Sequence, residues 1–159
     1  MIRKANKDDL KTLSCYARIV ARDLRQNKIE QWSETYPDYP DFEKDLNRDA
    51  LFVVESDAGV IGSITVLPEN DPYYRLLAWK VRKALVIHRL MILPAFRREK
   101  QGTKSFEFAI EYGRQNGYDG LKVDTHPDNF RMRSLILKMD FKEVGYMPGF
   151  NRIGYELKF

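Results

Sequence analysis

One cysteine and two histidines in 159 residues leave little material for disulfides or metal centres. A single thiol cannot close an internal disulfide, and Cys15, His88 and His126 are too scattered to form a metal site. Cys15 falls within a helical pattern and reads as a small core side chain. No apolar run approaches the roughly 20 residues that span a bilayer. The opening MIRKANKDD lacks the apolar centre of a signal peptide. A soluble, cytoplasmic protein with no membrane partner is therefore expected. Internal repeats and low-complexity tracts are absent as well.

Charge of one sign is not in large surplus. Lys and Arg number 27 against 23 Asp and Glu, a formal charge of +4. The cations are spread among acids, a balance that permits nucleic-acid binding without pointing to it. What is abundant is apolar content, at 43%. That suits a single domain spanning 1–159 with a full core, since domains commonly hold about 100–150 residues.

Periodicity divides the chain into alternating elements. Ile2-Arg3-Lys4 reads as a first strand, and Asp8 or Asp9 can cap a helix with Leu10, Leu13, Ala17, Val20, Ala21 and Leu24 on one face. This helix should end near Gln26-Asn27. The stretch KIEQWSETYPDYP is rich in aromatics and prolines and predicts a shaped loop, followed by a short helix over 41–47. LFVVES and VIGSITVL flank Asp57-Ala58-Gly59 and predict a hairpin. An aromatic loop with a helical turn, ENDPYYRLLAWKVRK, leads into a strand over 86–93. A helix over 103–116 stops at Gly117, GLKVDT makes a fifth strand, and Asp128 or Asn129 begins a helix through Met139. FKEVGYM and NRIGYELKF close the chain as two strands. The order predicts an α/β (α+β type) fold with a mixed sheet and helices on its faces.

The most informative segment is the run VIHRLMIL, then PAFRREKQG, then the amphipathic helix. A strand, a basic loop and a helix N-terminus in series expose backbone N–H groups to an anion. Arg97, Arg98, Lys100 and Lys104 stand there against a single acid, Glu99. Arginine suits bidentate contact with phosphate oxygens, and lysine acts as a movable point charge. On chemistry alone, a phosphorylated ligand and a solvated basic loop both fit.

This order and these residues resemble the GNAT superfamily of acyl-CoA-dependent N-acyltransferases over nearly the whole chain. In that family a hydrophobic-x-Pro step precedes the loop pattern (Arg/Gln)-x-x-Gly-x-(Gly/Ala). Here Ile92-Leu93-Pro94 provides the step, and Arg97-Arg98-Glu99-Lys100-Gln101-Gly102 occupies the loop. The later strand–Asn–helix–Gly-Phe motif is matched by LKVDTHPDNFRMRSLILKMDF, with Asn129 and Phe141 in their places. IEQW, VIHRL and VDTHPDN are similar to a bacterial subgroup with undefined acceptors. Three positions depart from the pattern: Lys100 and Asp140 replace glycines, and Ile136 replaces a tyrosine that many relatives use to protonate the departing thiolate. Lys100 must therefore adopt a costlier backbone conformation or shift the loop. The lost tyrosine matters less, because a thiol is already an acidic leaving group.

The resemblance implies a largely antiparallel central sheet of about seven strands flanked by about four helices. It implies acetyl-CoA as cosubstrate, no metal, and direct transfer of the acetyl group to a primary amine of a small molecule or peptide. Met91 and Ile92 would pair through their backbone with pantetheine, and Arg97, Arg98, Glu99, Lys100, Gln101, Gly102 and Thr103 would meet the pyrophosphate. Asn129 would lie near the pantetheine arm. His88 is the candidate proton acceptor, since an imidazole ordinarily titrates near 6.5; a structural histidine is the other reading. His126 is expected in the turn before the last helix, held by Asp124 and Thr125. Arg89 should point away from His88 and meet a carboxylate such as Asp124. Gln31, Trp32, Tyr36 and Tyr74, with Tyr39, Tyr73 and Trp79 nearby, are candidates for the acceptor pocket. Glu30 and Glu34 read mainly as solvated loop acids. The alternative function is a non-catalytic acyl-CoA-binding or regulatory module. A nucleic-acid partner is not expected, because residues 97–104 carry no stacking aromatic. Monomer and homodimer both remain open.

Overall fold

A computed structural model describes all residues, Met1–Phe159. Its elements follow the expected order: β1 (Ile2–Lys4), α1 (Asp9–Gln26), α2 (Tyr39–Asn47), β2 (Leu51–Ser56), β3 (Gly59–Leu67), β4 (Ala84–Ile92), α3 (Gln101–Gln115), β5 (Gly120–Thr125), α4 (Phe130–Lys138), β6 (Lys142–Met147) and β7 (Arg152–Lys158). Short 3-10 turns occupy Pro72–Leu76 and Pro94–Glu99. The strands form one seven-stranded sheet in the order β1-β2-β3-β4-β5-β7-β6. β4 and β5 run parallel, whereas β1–β2, β2–β3, β5–β7 and β6–β7 are antiparallel. No helix is long and apolar enough to cross a membrane.

The chain divides into two compact units. The first comprises residues 1–65 and 88–105. Its core joins Leu10, Leu13, Ala17 and Val20 of α1 to Phe42 of α2, Leu51 and Val53 of β2 and Met91 of β4. Each large side chain buried this way contributes about 1.5–3 kcal/mol. Helix α1 begins beside an ion pair: Asp9 receives the Arg3 guanidinium at 2.9 and 3.0 Å and the Asn6 N–H at 2.8 Å. Asp8 occupies the capping position, but its side chain makes no cap bond. The helix ends without glycine, with Lys28 at φ +60° and the Ile29 N–H donating to the Leu24 carbonyl.

Cys15 is exposed, contrary to its reading as a core thiol. The buried stripe of α1 runs through positions 10, 13, 17, 20 and 21. At about 100° per residue, position 15 lies about 200° from Leu13, on the solvent side.

The second unit comprises residues 66–87 and 106–159. Tyr74, Val86 and Met147 form its buried cluster, with Leu77, Trp79 and Phe150 packed against them. Phe106 of α3 meets Phe141 edge-on, with ring centroids 5.5 Å apart. Glu156 of β7 ties down the aromatic loop by accepting from the Lys80 and Val81 N–H groups at 3.0 and 3.1 Å.

Candidate active site

β4 enters the first unit at His88 and ends at Ile92; Met91 and Ile92 are both buried. Pro94 then opens the 3-10 turn, and Lys100 closes it at φ +58°, ψ +23°. Left-handed backbone is costly for a residue with a Cβ, by about 1–2 kcal/mol. Of the two outcomes open to Lys100, the loop adopts the strained conformation. The Lys100 carbonyl accepts from the Lys104 N–H at 3.0 Å and so starts α3 at Gln101. The helix begins two residues earlier than its apolar periodicity shows, because Gln101 and Gly102 contribute no apolar repeat. Backbone N–H groups in a first helical turn lack intrahelical partners and point along the axis, the arrangement that receives an anion.

The cations of this loop differ in their commitments. Arg97 donates to Asp23 of α1 at 2.6 Å, and both side chains are partly buried. Arg98, Lys100 and Lys104 are exposed, as is Glu99. Gln101 is buried, and its carbonyl accepts from the Ser105 hydroxyl at 2.8 Å. Gly102 and Thr103 are half-buried in the first turn.

His88 is half-buried on β4. Its neighbour Arg89 has φ +46°, so ideal strand alternation does not carry through this pair. Asp124 is not the partner of Arg89. The Arg89 fork meets Asp45 of α2, with Nε and Nη2 each 2.6 Å from a carboxylate oxygen. Asp45 is 1% exposed and also accepts from the Thr65 hydroxyl at 2.7 Å. Three donors thus satisfy this buried carboxylate.

The loop before α2 holds most of the acceptor candidates. Trp32 packs against the core cluster that contains Met91. Gln31 is half-buried, while Tyr36 and Tyr39 are exposed. The Tyr36 hydroxyl accepts from Arg89 Nη1 at 3.0 Å. Arg18 of α1 donates to the carbonyls of Ser33 and Pro37, and Arg25 pairs with Glu34 at 2.7 Å. Glu30 is exposed.

Tyr74 and Asn129 belong to the second unit. Tyr74 is 1% exposed, and its hydroxyl donates to Asp124 Oδ2 at 2.6 Å. The ring lies in the core cluster instead of at a pocket surface, because its one polar atom finds a buried partner. Burial, reinforced by Asp124, raises the Tyr74 phenol well above its usual range. Burial also pushes the Asp124 carboxyl up to about 6, against the opposing pull of the Tyr74 hydrogen bond and Arg152. Asp124 thus holds Tyr74, not the His126 turn. His126 forms that turn itself: Nδ1 accepts from the Asp128 N–H at 3.1 Å, and its carbonyl accepts from the Asn129 N–H at 3.0 Å. Asn129 caps α4 by accepting from the Met132 N–H at 3.2 Å. Ile136 is fully buried, and Asp140 takes φ +66° ahead of Phe141.

The pairings of Asp23 with Arg97, Asp45 with Arg89 and Asp124 with Tyr74 are ones that reading along the chain does not supply. Asp124 falls on the strand GLKVDT, and its expected partner, Arg89, meets Asp45 instead. Asp23 and Asp45 sit on helices whose spacing reads as ordinary solvated faces.

The family model for the acetyltransferase (GNAT) family matches residues 18–141. An uncharacterized N-acetyltransferase of Archaeoglobus fulgidus is 27% identical over 145 residues, covering 89% of this chain and 92% of that relative. Among solved structures, a GNAT-family acetyltransferase from Streptococcus agalactiae superposes with a TM-score of 0.86 at 18% identity, covering 100% of this chain and 95% of the other. The structure of yncA from Salmonella typhimurium with its cofactor acetyl-CoA gives a TM-score of 0.72 at 16% identity, covering 99% and 92%. At these identities the structural likeness is one of fold. With the family match over most of the chain, the conclusion is that this protein belongs to the GNAT family of acetyltransferases.

Proposed function

We propose that this acetyltransferase uses acetyl-CoA to acetylate a primary amine of a small molecule or peptide by direct attack. The supporting observation is Lys100. It keeps a left-handed conformation where the family pattern has glycine, immediately before the first turn of α3. A left-handed residue at this point lets the chain turn into α3 so that its first N–H groups are offered to a pyrophosphate in this reading. The N–H groups of Gln101, Gly102 and Thr103 are the donors in this reading, with Arg98 and Lys100 as flanking cations. Arg97 borders the loop through Asp23, and Glu99 limits the local positive charge. Backbone groups of Met91 and Ile92 hold the pantetheine arm.

Acetyl-CoA supplies a thioester carbonyl that an amine can attack, and the thiolate of coenzyme A leaves. The chain must hold the amine near that carbonyl and take up its proton. His88 takes that proton, directly or through water. Gln31, Trp32 and Tyr36 wall the acceptor. No group of three or more His, Cys, Asp and Glu residues forms a metal site.

Calorimetric titration with acetyl-CoA, beside dephospho-CoA and pantetheine at two salt concentrations, tests this reading. Saturable binding that weakens as phosphates are removed supports it. Absence of acetyl-CoA binding overturns it. Tight binding without acetylation of any amine in a broad screen favours the non-catalytic acyl-CoA module.

A further inference from the structure

Arg89 has two jobs that its sequence position does not announce. It stands in β4 two residues before Met91, and its backbone is left-handed inside a strand. Its fork is locked onto the buried Asp45, so the guanidinium has little freedom. The remaining nitrogen, Nη1, reaches out to the Tyr36 hydroxyl at 3.0 Å. The Tyr36 ring is 42% exposed and lies in the loop that carries the acceptor candidates.

We propose that Arg89 is a positioning residue that ties the acceptor loop to the cofactor strand through the Tyr36 hydroxyl, making Tyr36 a specificity-determining side chain. This deepens the acetyltransferase reading and rests on it. The loop has other anchors, but those go elsewhere: Arg18 and Arg25 hold it to α1. Trp32 touches the Met91 cluster only through apolar contact, which sets distance but little direction. The Arg89–Tyr36 bond is a directional polar link from β4 to this loop. Through this link, any displacement of β4 that accompanies donor binding would reach the Tyr36 ring and the acceptor wall it forms. A hydroxyl that accepts from a guanidinium also keeps its own proton for a second partner, so Tyr36 presents a donor outward.

Hydrogen exchange on the full-length protein, with and without saturating acetyl-CoA, tests the link without knowledge of the acceptor. The reporter amide is Ser33, whose N–H donates to the Tyr36 carbonyl at 2.9 Å. In the wild type, acetyl-CoA is expected to slow exchange at Ser33 by about five-fold or more. In Tyr36→Phe this slowing falls below about two-fold, while calorimetric affinity for acetyl-CoA and the melting temperature stay close to wild type. Arg89→Lys, which keeps a cation for Asp45 but lacks the fork, gives the same loss of slowing. Because Tyr36→Phe removes one exposed oxygen, it leaves folding intact even where an Arg89 variant does not.

Equal slowing in wild type and Tyr36→Phe overturns the proposal. So does an unaffected Ser33 amide in wild-type protein that calorimetry shows to be saturated. Failure of acetyl-CoA to bind at all instead removes the acetyltransferase reading, and this proposal with it.

Discussion

Gly62 of β3 lies directly against the carbonyl oxygen of Met91, so close that a Cβ at position 62 would overlap it. The obstacle is backbone on the strand proposed to hold pantetheine, and it cannot rotate away as a side chain could. Gly62→Ala is expected to cost about 1–3 kcal/mol of stability and to weaken acetyl-CoA binding by roughly five-fold as β4 shifts. Urea denaturation and calorimetry on the same variant measure the two effects.

The Tyr74–Asp124 pair makes stability depend on pH in an unusual direction. Burial pushes the Asp124 carboxyl up from 3.8 to about 6, so between these values the folded chain binds a proton that the unfolded chain has released. Stability from this group is therefore fully present below about pH 4 and declines as pH rises to 6. Asp124→Asn should match wild type near pH 4 and exceed it at pH 8 by about 3 kcal/mol at most. Its amide oxygen can still accept from Tyr74. Thermal unfolding across that range gives the comparison.

Lys100 and Asp140 both occupy left-handed backbone, at φ +58° and +66°. Lys100→Gly should gain about 0.5–1 kcal/mol by removing the Cβ penalty, after allowing for the extra freedom of glycine when unfolded. Asp140→Gly should gain less, because aspartate tolerates this region better. Melting temperatures of the two variants, with Lys100→Ala as a control that keeps the strain, test the order.

For His88, the expected result is a loss of turnover without a loss of fold. His88→Ala should lower the acetylation rate about 100-fold and abolish the acid limb of its pH profile. The measurement uses whichever primary amine an acetylation screen identifies. A variant with wild-type stability and an unchanged profile would remove His88 from the mechanism.

The elements were legible where periodicity is strong. The stripe through Leu10, Leu13, Ala17 and Val20 predicts α1, and Asp57-Ala58-Gly59 predicts the hairpin whose ends pair as Ser56 with Gly59. At Lys100 the resemblance, which places glycine there, left two outcomes open, a strained conformation or a shifted loop, and the structure takes the first. Less legible was anything depending on distant pairing. Arg89 and Asp45 are 44 residues apart, and no glycine marks the left-handed turn of β4 that aims the guanidinium at α2. Tyr74 was ambiguous because a phenol is equally suited to a pocket wall and to a buried bond, and only Asp124 decides between them. Cys15 shows the limit of composition: thiols favour interiors on average, but helical phase overrides the average.

The two strained positions are unequally placed in the genetic code. Aspartate codons reach glycine by a single base change, so relief at position 140 is one step away in any gene for this protein. Lysine codons need two, and the intermediates encode arginine or glutamate. Arginine at position 100 would keep both the positive charge and the strain, while glutamate would set a negative charge beside the turn proposed for pyrophosphate. Neither intermediate relieves the backbone. Selection can therefore remove the strain at Asp140 much more readily than at Lys100.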